Sequence, residues 1–180
     1  GPVAVSVATQ EAPLLQEWMA AQRYDLGLTE QGEVPPGVRM VALPAVDEVA
    51  VLPTGHALTQ KSRLQPQDFA GQPFVSLAEG DPYRMQIDRV FADAGVARQM
   101  LLETHSAIAV CALVQQGLGV AIVNPLTARA CAAGASMVVR PLTFSIPFEL
   151  QALLPLHRAA VQEVEWLVDA LKQSMAPESA

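Results

Sequence analysis

Residues 103–125 read ETHSAIAVCALVQQGLGVAIVNP, and they set the fold class of the whole chain. Thr104 and Ser106 are cap-forming residues, and the apolar positions behind them, Ala107, Ile108, Val110, Cys111, Leu113 and Val114, recur at helical spacing. The spacing predicts a helix that begins at about His105 or Ser106 and is stopped by Gly117 and Gly119. Val120–Val123 follows as an unbroken apolar run, the composition of a strand buried on both faces of a parallel sheet. A helix N-terminus at the carboxyl end of such a sheet presents unpaired N–H groups and partial positive charge, a setting suited to a carboxylate or another small anion. Read alone, a Ser or Thr at that position serves equally well as a simple cap. The rest of the chain has to decide between the two.

The chain has 180 residues and is 51% hydrophobic, enough for one domain or two small interleaved lobes. Aromatic residues are only 5%, and the abundance of Ala, Val and Leu favours an α/β protein over a β-sandwich. A formal net charge of -7 argues against this segment gripping nucleic acid by itself. No apolar run approaches the roughly 18 residues of a membrane span, and the first residues lack a secretory pattern. Cys111 and Cys131 have neither CxxC spacing nor a nearby His. They read as free thiols in a reducing compartment, hence the cytoplasm.

In chain order, Val3–Thr9 (VAVSVAT) reads as a strand beginning at the very first residues, as though the chain starts inside a domain. A helix is expected over Glu11–Ala21, with Pro13 in its first turn, and then a short buried strand over Arg23–Leu28. Together these make a β-α-β unit with a right-handed crossover. Thr9 and Gln10 then stand just beyond the first strand, where open α/β sheets bind ligands. Val38–Leu43 and Glu48–Leu52 read as extended segments, the second leading into another lobe. Phe74–Leu77 reads as a strand, and Pro82–Ala94 as a helix with Asp81 at its cap. Arg98–Glu103 is a strand, Leu126–Ala132 a helix, residues 133–135 a loop, and Met137–Arg140 and Phe148–Leu154 strands. Ala159–Ser174 closes the chain as an amphipathic helix.

Catalytic and metal signatures are missing. The three histidines, His56, His105 and His157, are scattered, and there is no HExxH, GxSxG, Walker loop or dinucleotide fingerprint. No enzyme activity, cofactor or metal is expected. The polar residues at strand ends form the better constellation: Thr9 and Gln10, the Ser76–Asp81 loop, Thr104, His105 and Ser106, and Asn124. Arg84 is placed to clamp a ligand carboxylate through paired hydrogen bonds, or to lie solvated on the first turn of its helix.

Over essentially its whole length the chain resembles the effector-binding domain of LysR-type transcriptional regulators. The resemblance is carried by VSVATQEAPLLQEWMAAQRYDLGLTE, DEVAVLPTGHAL, LQPQDFAGQPFVSL and HSAIAVCALVQQGLGVAIVNPLTA. SLAEGDPYRMQID together with GLGVAIVNPLTA is most similar to the branch that includes the regulators of lysine biosynthesis and opine catabolism. The resemblance implies a type 2 periplasmic-binding-protein-like α/β fold, two Rossmann-like lobes joined by crossing strands. The first lobe would be residues 3–46 plus 144–174, lacking the strand and helix that open it in the family, and the second 47–143. Ligand contacts carried over from the family fall on Thr9, Leu52, Pro53, Thr104–Ser106, Asn124 and Pro125, in a cleft between the lobes. Ser76 and Arg84 are added by the reading of the residues themselves.

The expected function is therefore sensing. An amino-acid-like or carboxylate effector would control a homodimer or homotetramer, with DNA bound only by a winged helix-turn-helix absent from this chain and with no membrane involvement. The alternative is a free-standing periplasmic solute-binding protein for transport.

Overall fold

The computed structural model describes residues 3–30, 32–134, 136–159 and 161–176. The chain divides into two compact units, Gly1–Val46 with Glu149–Ala180, and Asp47–Phe148. The short strands β3 (Val46–Asp47) and β9 (Pro147–Phe148) lie where the chain leaves the first unit and returns to it.

The first unit contains α1 (Ala12–Ala20), β1 (Gly27–Thr29), β2 (Val38–Ala42), β10 (Gln151–Pro155) and α5 (Gln162–Met175). β10 is the central strand of the order β1-β10-β2 and is antiparallel to both neighbours. Successive residues of β10 point to opposite faces, so one short strand seeds two apolar layers. Leu153 packs with Met19 and Val38, joined by Leu15 and Tyr24, on the α1 side. Ala152 and Leu154 pack with Val168, joined by Val41 and Val164, on the α5 side.

Two expectations fail here. Val3–Thr9 is not a strand: it makes no β pairing, and Val3, Val5 and Val7 face solvent at 56%, 70% and 86% exposure. Its alternating apolar pattern is strand-like, but a strand needs a ladder partner, and it has none among the described residues. The β-α-β unit with a right-handed crossover fails with it. β1 is narrower than expected and takes its partner antiparallel from β10, more than a hundred residues downstream.

The second unit carries β4 (Val49–Pro53), β5 (Pro73–Leu77), α2 (Pro82–Asp93), β6 (Gln99–Thr104), α3 (Ala107–Gln115), β7 (Ala121–Val123), α4 (Pro125–Ala132) and β8 (Met137–Pro141). β5 pairs parallel with β6 and, through Phe74 and Val120, parallel with the start of β7. β4 lies antiparallel between β7 and β8. The sheet around β7 is therefore mixed rather than parallel throughout. Phe69, Phe74 and Phe91 form an edge-on aromatic core beneath it, with ring centroids 5.4–6.2 Å apart.

The glycines of GLGV have separate tasks. Gly117, at φ 78°, ends α3 in a left-handed turn: its N–H donates to Val114 O, and Leu118 N–H reaches back to Leu113 O. Gly119 lies against β5, and a methyl group on it would sit 2.6 Å from the Pro73 carbonyl oxygen. That close approach lets Val120 N–H donate to Pro73 O at 2.8 Å while Val75 N–H donates to Val120 O at 2.9 Å. The motif thus fixes where β7 enters the sheet.

Candidate functional site

The carboxyl ends of β5, β6 and β7 meet at one sheet edge. Leu77 is in register with Thr104, and Val123, three residues beyond the Phe74–Val120 bridge, falls level with Leu77. Each strand runs directly into a helix, so the N-termini of α2, α3 and α4 all emerge along that edge. Parallel strands followed by helices impose this arrangement, and it gathers partial positive charge where the strands stop.

The three termini are capped differently. Asp81 places its carboxylate on the α2 terminus, where Oδ1 accepts from Tyr83 N–H at 2.8 Å and Arg84 N–H at 3.1 Å. That terminus already holds an anion. At α3 the cap is neutral: Ser106 Oγ accepts from Ala109 N–H at 3.3 Å, and Thr104 Oγ1 accepts from Ser106 N–H at 3.4 Å. At α4 Asn124 Oδ1 accepts from Thr127 N–H at 2.8 Å. In these bonds both hydroxyls and the amide oxygen act only as acceptors, so the O–H and N–H donors of these side chains are not used in them. Ser106 and His105 are exposed, Thr104 and Asn124 are half-buried, and Pro125 is buried as the first residue of α4. The structure thus brings Thr104, His105, Ser106, Asn124 and Pro125 to one edge.

Ser76 and Arg84 join this edge from behind. Ser76 is 2% exposed. Arg84 Nη1 donates to Ser76 Oγ at 3.0 Å, Leu77 O at 2.9 Å and Glu103 Oε1 at 2.9 Å, while Nε donates to both oxygens of Asp88. Burial works against the charge of Arg84, but hydrogen bonds to Glu103 and Asp88 outweigh it and hold the pKa above the ordinary arginine value. Asp88 also pairs with Arg98, whose guanidinium lies over the rings of Phe74 and Phe91 at 4.8 and 4.3 Å. For Arg98 burial prevails and lowers the pKa, with Asp88 opposing it. Both arginines remain cations at neutral pH. Nε and Nη1 of Arg84 brace β5, β6 and α2 against one another instead of pointing at a ligand. The Arg84–Asp88 spacing was visible as an i, i+4 pair; the part played by Glu103 and Arg98 depends on strand register, which no local pattern displays.

Other candidates lie elsewhere. β4 runs against β7, with Val51 opposite Ala121 and Val49 opposite Val123. Leu52 and Pro53 therefore sit beside the start of β7 and β8, at the edge opposite Asn124. Leu52 is wholly buried and serves the core. Thr9 and Gln10 belong to the first unit, exposed in the segment that forms no strand.

Cys111 and Cys131 are free. Burial, followed by the neighbouring Cys131, pushes the Cys111 thiol up to about 12, which keeps it protonated and inert. Among the described residues no group of three or more His, Cys, Asp and Glu is placed to hold a metal ion. Nor is any described helix long and apolar enough to cross a membrane.

Comparison with known proteins gives this geometry its context. The transcriptional activator protein LysR of Escherichia coli (strain K12) is 47% identical over 156 residues, covering 87% of this chain and 50% of that protein. The regulatory protein NocR of Agrobacterium tumefaciens (strain T37) is 30% identical over 174 residues, covering 94% and 58%. The chain thus spans about half the length of the curated relatives it matches. Among solved structures, the BenM effector-binding domain with its effector benzoate superposes with a TM-score of 0.68 at 14% identity, over 93% of this chain and 76% of that one. That likeness identifies the type 2 periplasmic-binding-protein-like α/β fold. The family model for the LysR substrate binding domain matches residues 3–176. A match of that extent, on a fold whose helix N-termini line one sheet edge, makes the chain a member of the LysR substrate-binding domain family, the effector-binding domains of LysR-type transcriptional regulators.

Proposed function

We propose that this domain senses a small amino-acid-like or carboxylate effector, whose carboxylate is held at the N-termini of α3 and α4. The observation that supports this most directly is the difference in capping along one edge. α2 is closed by Asp81, while α3 and α4 are capped by the neutral Ser106 and Asn124 and retain uncompensated N–H groups. Thr104, Ser106 and Asn124 supply hydroxyl and amide donors, His105 stands exposed beside them, and Pro125 fixes the entry into α4. Ser76 and Arg84 hold β5, β6 and α2 in register behind them. A relative named for the regulation of octopine catabolism and uptake, and a neighbour that holds benzoate, favour the same ligand chemistry.

In the full-length protein, effector binding would shift the balance between two states of a homodimer or homotetramer in the cytoplasm and so change DNA binding and transcription. The test is calorimetry of the full-length protein against a panel of amino acids, diaminopimelate, opines and simple carboxylates. One member should bind, with affinity reduced about tenfold or more by Ser106→Ala. Silence across the panel from a folded protein refutes the ligand class.

A further inference from the structure

Cys111 and Cys131 are the two cysteines of the chain, and the fold of the second unit brings them together. Cys111 lies in the second turn of α3 and is wholly buried, while Cys131 lies in the last turn of α4 and is half-buried. Gln115, one turn beyond Cys111 on the same stripe of α3, donates from Nε2 to Cys131 O at 2.9 Å. That bond satisfies one of the carbonyls a helix C-terminus leaves unpaired, and it fixes the end of α4 against the stripe that carries Cys111. One turn before Cys131 stands Ala128, small and wholly buried, so the two packed helices can approach closely. The two thiols are hydrogen-bonded neighbours, and neither is in a disulfide.

The pair is asymmetric. Cys131 is the sulfur that a solute can reach, whereas Cys111 has no exposed surface. Among the described residues no third ligand stands with them to hold a metal ion, which leaves thiol–disulfide exchange as the chemistry of the pair. We infer that Cys131 is an oxidation site and Cys111 its resolving thiol, the two closing a disulfide between α3 and α4 on reaction with a low-molecular-weight disulfide. In the first step the Cys131 thiolate attacks one sulfur of the small disulfide, whose S–S bond breaks and releases one thiolate. Cys111 then attacks Cys131 Sγ, and the second small thiolate leaves. Two protein thiols are oxidised to one disulfide, the small disulfide is reduced to two thiols, and the two protons from Cys111 and Cys131 end on those thiols. The order of events follows from burial. In the reduced chain Cys111 keeps its proton, because burial and then the neighbouring Cys131 push its thiol up to about 12, so it does not start the reaction. Once Cys131 is capped it carries no negative charge to oppose ionisation of Cys111, and the sulfur to be attacked is already in contact. The bridge ties together the two helices whose N-termini carry Ser106 and Asn124. The inference rests on the packing of α3 against α4 and is independent of which ligand that edge binds.

The probe is oxidised glutathione, incubated with the folded, reduced 180-residue chain at about pH 8, close to the ordinary thiol range, and followed by intact mass and peptide mapping. The expected product is the parent less two hydrogens, with Cys111 linked to Cys131 and with amide exchange over residues 107–115 and 125–132 slowed about tenfold or more. Cys111→Ala should stop with one glutathione on Cys131, and Cys131→Ala should react about tenfold more slowly than the parent, or slower still. Mapping of the unsubstituted chain carries the test if either variant does not fold. Glutathione that stays on Cys131 of the parent, no reaction at all, a dimer linked through Cys131 as the product, or a 111–131 bridge that leaves exchange in both helices unchanged would each overturn the inference.

Discussion

Gly119→Ala is the sharpest test of how the candidate site is assembled. A methyl group there meets the Pro73 carbonyl oxygen at 2.6 Å and its carbon at 3.0 Å. Both atoms are backbone, held on one side by the ladder to β6 through Gln99 and on the other by Val120 N–H. Neither partner can turn aside as a flexible side chain would, so β7 has to back away from β5. The cost combines overpacking of roughly 1–3 kcal/mol with two strained or lost hydrogen bonds of roughly 1 kcal/mol each. We expect about 3–5 kcal/mol in all. Gly117→Ala is the matched control: nothing lies within 4 Å of its added methyl, so only the left-handed backbone penalty of about 1 kcal/mol applies. Urea unfolding followed by circular dichroism, with amide exchange at residues 120–123, reads the difference. If Gly119→Ala unfolds at the same urea concentration as Gly117→Ala, the close β5–β7 approach does not govern this sheet, and the alignment of the three helix N-termini loses its cause.

Three further outcomes are expected. Asp88→Asn removes the carboxylate shared by Arg84 and Arg98, whose side chains are only 12% and 8% exposed; stranding a buried charge costs about 3–5 kcal/mol, which the 42% exposure of Asp88 reduces to about 1–3 kcal/mol by thermal or urea unfolding. Cys111 holds its proton to about pH 12 in the folded chain, against an ordinary thiol value of 9.0. Its contribution to stability is therefore complete below pH 9 and lost as pH rises from 9 toward 12, so the unfolding midpoint should fall more steeply across that window in the parent than in Cys111→Ala. Asn124→Ala removes the α4 cap and should cost about 0.5–2 kcal/mol in unfolding free energy, whereas Asn124→Asp, which keeps a cap but adds a negative charge, should leave stability intact and abolish binding of a carboxylate in calorimetry.

Much of the second unit was legible because its signals are local. Ser106 caps α3, Asp81 caps α2 with Pro82 as its first residue, and Gly117 ends α3, each where the sequence placed it. Val3–Thr9 misled because alternation reports strand propensity and says nothing about whether a neighbour exists to pair with. The antiparallel partnership of β1 with β10 was equally hidden, since the two strands are separated by the whole second unit. The site divides the same way. Thr104 and Ser106 announce themselves as cap-forming residues and Asn124 as a polar strand end, but Leu52 and Pro53 look equivalent to them until the direction of β4 is known. Arg84 looks like an anion clamp until register brings Glu103 beside it.

The central strand of the first unit comes from near the end of the chain, and this imposes a timetable on biosynthesis. While a ribosome is still threading out residues before Gln151, α1, β1 and β2 lack the strand on which their apolar faces close. The segment 47–148, by contrast, contains all of its own sheet and can condense as soon as it clears the exit tunnel. The nascent chain must therefore carry an unfinished, sticky first unit alongside a finished second one, and any pause or truncation ahead of β10 would hand that unit to chaperones or proteases.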